Sequence, residues 1–203
     1  MIICKLSVVA AALGVATFAH AETRKPMGVP DARAYYVCKT RVTFSPGHGT
    51  QVAYMNSTGG VFLWYPGNSV VVPGRWKIEE ATVKNLTFAA LCFQYGADTY
   101  NPVTKERGGK WNCLAADMWA RTTVDRADGD VFGLARRRAV PFQLSAERTT
   151  IADLRQKLRP QDAKARMVAD PGCPAHVADL VRDEAERAMQ LQGATEYPAP
   201  MMP

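Results

Sequence analysis

The sequence predicts a mainly β protein of the α+β type, an antiparallel sheet or small open barrel of about six to eight strands followed by two or three C-terminal helices. Three observations predict it. Arg75-Trp76-Lys77-Ile78-Glu79 alternates charged and apolar residues, which on a strand sends Trp76 and Ile78 to one face and the charges to the other. Phe88 to Tyr95 is a continuous apolar, aromatic-rich run stopped by Gly96, the pattern of a strand covered on both faces. Turn residues punctuate the chain as far as Asp128-Gly129, and helix signals begin only near Thr150.

In chain order, Lys5 precedes an apolar run from Leu6 to Phe18, and Ala19-His20-Ala21 fits the small-x-small cleavage rule. Residues 1–21 therefore read as a signal peptide, because the run is shorter than the roughly 20 apolar residues a membrane span needs. Residues 22–33, with Pro26 and Pro30, read as an extended lead-in to an antiparallel β domain over 34–144. Ala34 to Phe44 contains Tyr35-Tyr36-Val37-Cys38 and Val42-Thr43-Phe44 and reads as its first strand. Gln51 to Met55 and Val61 to Tyr65 form a hairpin through Asn56-Ser57-Thr58-Gly59-Gly60.

Pro66-Gly67-Asn68 turns the chain into Val70-Val71-Val72, a short buried strand that leads through Pro73-Gly74 into the two central strands. Ala97 to Lys110 is a long surface connection. Met118 to Val124 and Asp130 to Leu134 flank Asp128-Gly129, a hairpin signal because both central positions of a type I′ turn need positive φ. Pro141 to Leu144 reads as an edge strand.

A helical segment follows over 145–193. Thr150 and Asp153 form a capping-box-like start, and Arg159-Pro160 marks the stop. A short helix is expected from Asp162 to Val168. A longer one runs from Pro174 to Gln192, with Val177, Leu180, Val181, Ala185, Ala188 and Met189 as its apolar stripe. Residues 194–203 carry three prolines and read as a disordered tail.

Beyond residue 21 the cysteines are Cys38, Cys92, Cys113 and Cys173. Four cysteines in an exported chain read as two disulfides with three pairings open. Trp111 and Cys113 share a strand face, and Cys92 on a neighbouring strand can lie opposite. This favours Cys92–Cys113 and hence Cys38–Cys173, which fastens the C-terminal part to the first strand. No C-x-x-C spacing supports zinc, and no cofactor motif is present. The formal net charge of +6 includes Lys5 and suits an anionic envelope surface or an acidic partner; export argues against nucleic acid.

Candidate sites are sparse. His48, with Ser45 and Asp31, makes a triad on paper, but no G-x-S-x-G elbow accompanies it. His176 follows Cys173 on the first turn of a helix. Asp125, Asp128 and Asp130 lack EF-hand spacing. Glu79 and Glu80 are adjacent on a strand and point to opposite faces, so they cannot flank one glycosidic bond. Arg136-Arg137-Arg138 reads as a solvated charge run. Trp64, Tyr65, Asn68 and Arg75 around the Pro66-Gly67 turn form the candidate binding surface, since aromatics beside Arg and Asn suit a glycan or protein contact.

The series Gly74-Arg75-Trp76-Lys77-Ile78-Glu79, Leu91-Cys92-Phe93-Gln94-Tyr95 and Lys110-Trp111-Asn112-Cys113 resembles small exported bacterial β-meander proteins of unknown function. That resemblance implies a periplasmic, lipocalin-like small barrel without an assigned activity. Tyr36-Val37-Cys38 is similar to the opening of periplasmic C-type lysozyme inhibitors, although the Ser-Gly-x-x-Tyr loop of those inhibitors is missing. The expected function is that of an exported, periplasmic or secreted, non-enzymatic protein that binds an envelope glycan or a protein partner. An inhibitor of a secreted hydrolase such as lysozyme, and an enzyme with a site assembled from scattered Asp, Arg and Tyr residues, are the alternatives.

Overall fold

The computed structural model describes residues 25–160, 162, 170, 172 and 173. The expected signal peptide, the helix from Pro174 to Gln192 and the tail lie outside the described residues. Of the short helix expected over 162–168 only Asp162 is described. The fold is mainly β, as expected. No helix among the described residues is long and apolar enough to cross a membrane.

The first element corrects the expectation of an extended lead-in and a strand from Ala34. Val29–Tyr36 is a helix, α1. Pro30 sits in its first turn, where the missing N–H costs nothing, and Asp31 suits the positive end. Ala32 and Tyr36 are one turn apart on the same face, and both are fully buried. Burial of that face decides against the β propensity of Tyr35-Tyr36-Val37. Cys38 then reverses the chain in the left-handed region at φ 59°, its carbonyl held by the Gly129 N–H at 2.7 Å.

Five strands follow as an antiparallel meander: β1 Lys39–Ser45, β2 Gly49–Met55, β3 Gly60–Trp64, β4 Val72–Val83 and β5 Leu86–Tyr95. The β4–β5 hairpin closes through Lys84 and Asn85, both at positive φ, the two-residue turn geometry that matches strand twist. A two-stranded ribbon, β6 Tyr100–Asn101 with β7 Glu106–Arg107, organises the long connection expected there. Next come β8 Asn112–Ala115, helix α2 Ala116–Arg121 and β9 Thr123–Asp128. The sheet order is β8-β5-β4-β3-β2-β1-β9.

That order dictates the shape. Strands β8 and β9 lie at opposite edges of the seven-stranded sheet, yet α2, six residues long, connects them. A flat sheet of this size would hold its edges about 29 Å apart at the usual strand spacing, whereas a six-residue helix spans only about 9 Å. The sheet therefore curls into a half-barrel, with α2 as a crosspiece over the gap. The Phe44 N–H donates to the Thr122 carbonyl at 2.8 Å, and the Trp119 indole N–H donates to the Leu91 carbonyl at 3.2 Å, fastening the crosspiece on both sides.

Two cores result from strand alternation. On the convex face Val42, Val52, Tyr54 and Trp64 are covered by Val131, Phe132, Leu134, Leu144, Ile151 and Leu154. On the concave face Met55, Val61, Trp76, Ala89 and Leu91 pack against Ala32 and Tyr36 of α1, which plugs one end of the half-barrel.

Both expected disulfide pairs are present. Cys92 and Cys113 are direct register partners on β5 and β8, with Cα atoms 4.0 Å apart. Cys38 and Cys173 lie 5.7 Å apart at Cα across 135 residues of sequence. Beside that second bridge, Asp170 accepts from the Ser57 N–H at 3.1 Å, the Ser57 hydroxyl at 2.8 Å and the Tyr54 hydroxyl at 3.1 Å. The segment is thus docked on the β2–β3 turn.

Four further expectations are corrected. Met118 to Val124 is not one β run: Ala116–Arg121 is the helix α2, and β9 begins only at Thr123. Asp128-Gly129 is a turn, with Gly129 at φ 74°, but no strand follows it. The Asp130 carboxylate instead accepts from the N–H groups of Leu134 and Ala135, both at 2.8 Å, and draws the chain into a 3-10 turn at Leu134–Arg136. Residues 141–144 form no strand, although Phe142 and Leu144 pack on the convex core. Val70 is exposed and makes one isolated bridge to Ala139 rather than a buried strand. Helix α3, Ile151–Gln156, starts with the expected capping box between Thr150 and Asp153.

Candidate binding cleft

The concave face is open at the end away from α1. There the strand ends, the β2–β3 side of the sheet and the 96–113 connection surround a cleft of about 1430 Å³. Its walls combine Leu63, Phe93, Tyr95 and Trp119 with Arg41, Gln51 and His48. The rim carries Arg107 and Lys110 against the single carboxylate of Glu106.

Arg41 lies at the inner end of this cleft. Its Cα is paired with Ala53 on β2, so its side chain shares the face of Ala53 and Met55 while Val42 points into the convex core. It is 3% exposed. Its Nη2 donates to the Trp119 carbonyl at 3.0 Å and the Thr123 hydroxyl at 2.7 Å, and its Nε reaches the same hydroxyl at 3.3 Å. The guanidinium carbon stands 4.6 Å from the centroid of the Tyr36 ring. All of these partners are neutral. Among the described residues no carboxylate pairs with Arg41 and no acceptor bonds its Nη1.

The surrounding phenols do not supply the missing negative charge. Burial pushes the Tyr36 pKa up to about 12, against the opposing pull of Arg41. Burial likewise drives Tyr95 well above the ordinary tyrosine value, and Arg41 only partly offsets it. Both phenols are therefore neutral at physiological pH. Burial lowers the Arg41 pKa as well, opposed first by Tyr36, but a guanidinium starts so high that it stays protonated. The inner cleft holds an uncompensated cation.

His48 and Tyr65 stand together on the outer wall, with Nδ1 of His48 3.2 Å from the Tyr65 hydroxyl. Burial lowers the pKa of His48 and raises that of Tyr65. Ser45 lines the same wall, whereas Asp31 belongs to α1 and takes no part in the cleft. The paper triad is not assembled.

The expected binding surface is divided by the sheet. Tyr65 and Asn68 line the cleft. Trp64 points the other way and is fully buried. Its indole N–H donates to the Phe142 carbonyl at 3.1 Å, and its ring meets Phe132 and Phe142 edge-on at centroid distances of 5.6 and 4.8 Å. Arg75 is exposed, donates to the Gln94 side chain at 2.5 Å and, with Lys77, flanks the ring of Trp111.

The acidic candidates are also spread apart. Asp125 accepts from the Ile151 N–H, Asp128 pairs with Lys39, and Asp130 holds the 3-10 turn. Glu79 pairs with Lys77 at 2.6 Å. Within the basic run, Arg137 bonds Asp162 at 3.1 Å. His176 lies outside the described residues.

Arg41, Tyr95 and Trp119 are among the cleft residues that sequence reading missed. Lys39-Thr40-Arg41-Val42 shows strand alternation, which assigns charges to solvent by default. No local signal states that the charged face is the concave one. No family model matches the chain, and neither does any curated protein or solved structure.

Proposed function

We propose that this chain is an exported, periplasmic or secreted, non-enzymatic binding protein that holds a small molecule in the open end of its half-barrel. The cleft carries the reading: it is concave, walled by aromatic and aliphatic side chains, and supplied with a few inward polar groups, the usual composition of a ligand site. Its polar groups suit holding more than proton transfer, since His48 is engaged by Tyr65 and Glu106 is the one carboxylate on the walls. Export is supported by the apolar leader with its small-x-small end and by two cysteine pairs that persist in an oxidising compartment.

The test is a thermal-shift and calorimetric screen of the oxidised protein against small amphiphiles, peptidoglycan fragments and other envelope glycans. At least one class should raise Tm and be displaced by crowding the cleft with Leu63→Trp. Binding that ignores this substitution, or silence across the panel, rejects the cleft. A parallel titration of lysozymes and secreted proteases covers the inhibitor alternative, and a loss of hydrolase activity at stoichiometric protein would favour that reading instead.

A further inference from the structure

We infer that the cleft selects an anionic amphiphile, with the ligand's carboxylate or equivalent acid group seated on Arg41 and its apolar body lying along Leu63, Phe93 and Trp119. This deepens the binding-protein reading and rests on it. Moving a cation out of water is costly, and proteins normally offset the cost with a paired carboxylate. Arg41 is 3% exposed and has a hydroxyl, a carbonyl and an aromatic ring in place of one. Three of its five N–H donors are occupied by these contacts, and the two on Nη1 are left for an acceptor entering from the cleft.

The fixed side of the guanidinium is as informative as the free side. Nε and Nη2 converge on Thr123, and Nη2 also holds the Trp119 carbonyl, so the fork is oriented before any ligand arrives. With Nε and Nη2 engaged, the pre-oriented guanidinium presents its two Nη1 N–H groups to an acid oxygen, which accepts from them in a charge-assisted bond. Tyr95, close enough to Arg41 to feel its charge, has a neutral hydroxyl with no partner among the described residues, a second donor for the same acid group. Arg107 and Lys110 at the rim draw anions inward. Beyond Arg41 the walls are Leu63, Phe93 and Trp119, with the Phe93 and Trp119 rings 5.1 Å apart edge-to-face, an apolar lining for a hydrocarbon or aromatic body.

The experiment uses the full oxidised protein and three probes of one chain length: laurate, dodecanol and dodecyltrimethylammonium, each measured by calorimetry below its micelle concentration. Laurate should bind about ten-fold or more tighter than dodecanol, the scale of a hydrogen bond to a charged group, and the cationic probe most weakly. Arg41→Met should abolish the preference for laurate over dodecanol, and Arg41→Lys should keep part of it. Leu63→Gln should weaken laurate and dodecanol alike. Equal affinity for laurate and dodecanol in the unmodified protein overturns the anionic specificity and leaves the binding cleft standing. Absence of binding by all three overturns the anionic amphiphile outright, while a hit among the glycans of the wider screen would keep the cleft itself. The unmodified protein alone decides the matter if Arg41→Met does not fold.

Discussion

The Tyr36 hydroxyl donates to the Ala116 carbonyl at 2.7 Å, joining the plug helix α1 to the crosspiece α2 across 80 residues of sequence. The bond is buried, and the ring beneath it carries the Arg41 guanidinium. One phenol thus ties together the two elements that keep the half-barrel curled.

Tyr36→Phe should cost about 1 kcal/mol of unfolding free energy, read from urea denaturation, because one buried hydrogen bond is lost without a cavity. The same residue gives an alkaline signature. Its pKa in the folded protein is pushed up to about 12, so its contribution is complete below about pH 10, the unfolded value, and fades as pH rises through the folded one. Tyr36→Phe should flatten the loss of stability across that alkaline window. An unchanged slope would mean that the phenol is not buried as described.

The two disulfides should differ in worth. In the chain-entropy picture a 135-residue separation corresponds to about 5 kcal/mol and a 21-residue one to about 3 kcal/mol. Replacing Cys38 and Cys173 by serine should therefore lower the denaturation midpoint more than replacing Cys92 and Cys113. Non-reducing peptide mapping should recover these two pairs and no others.

Asp170 should govern part of the acid limb. Burial works to raise its carboxyl, but the Ser57 and Gly172 amides with the Ser57 and Tyr54 hydroxyls outweigh it, and the net direction is down. A carboxylate depressed on folding adds stability that is complete above its unfolded value of about 4 and is lost as pH falls through the lower folded one. Asp170→Asn should remove that acid dependence while leaving stability at high pH less affected than Tyr54→Ala does. An acid midpoint identical to that of the unmodified protein would contradict the docking of this segment.

Tryptophan substitutions should separate core from surface. Trp64→Ala empties a fully buried site between Phe132 and Phe142 and should cost about 3–5 kcal/mol. Trp111→Ala removes an exposed ring flanked by Lys77 and Arg75 and should cost about 1 kcal/mol or less. Comparable losses at both positions would mean that the convex layer is not packed as described.

The local chemistry of several elements was legible in the sequence. Turn residues and alternation gave the β2–β3 hairpin and the central strands, Thr150 with Asp153 gave the α3 cap, and Cys92 opposite Cys113 followed from strand faces. What escaped was decided by distant contacts. Tyr35-Tyr36-Val37 has strand propensity, yet Tyr36 is helical because its side chain fills the barrel end and reaches Ala116. Asp128-Gly129 carries a hairpin signature, yet the Asp130 side chain captures two later amides and ends the pairing. Arg41 sits in an ordinary alternating strand, and only the curl of the sheet turns its side from water to cleft. The site is therefore a property of topology, and no short motif encodes it.

The crosspiece α2 is six residues long, yet it sets the distance between the two sheet margins that it connects. Each additional helical turn there would move those margins apart by about 5.4 Å while leaving every strand register untouched. Aperture and scaffold are thus encoded separately. Lengthening or trimming one short helix is enough to widen or narrow the cleft, with no redesign of the β framework.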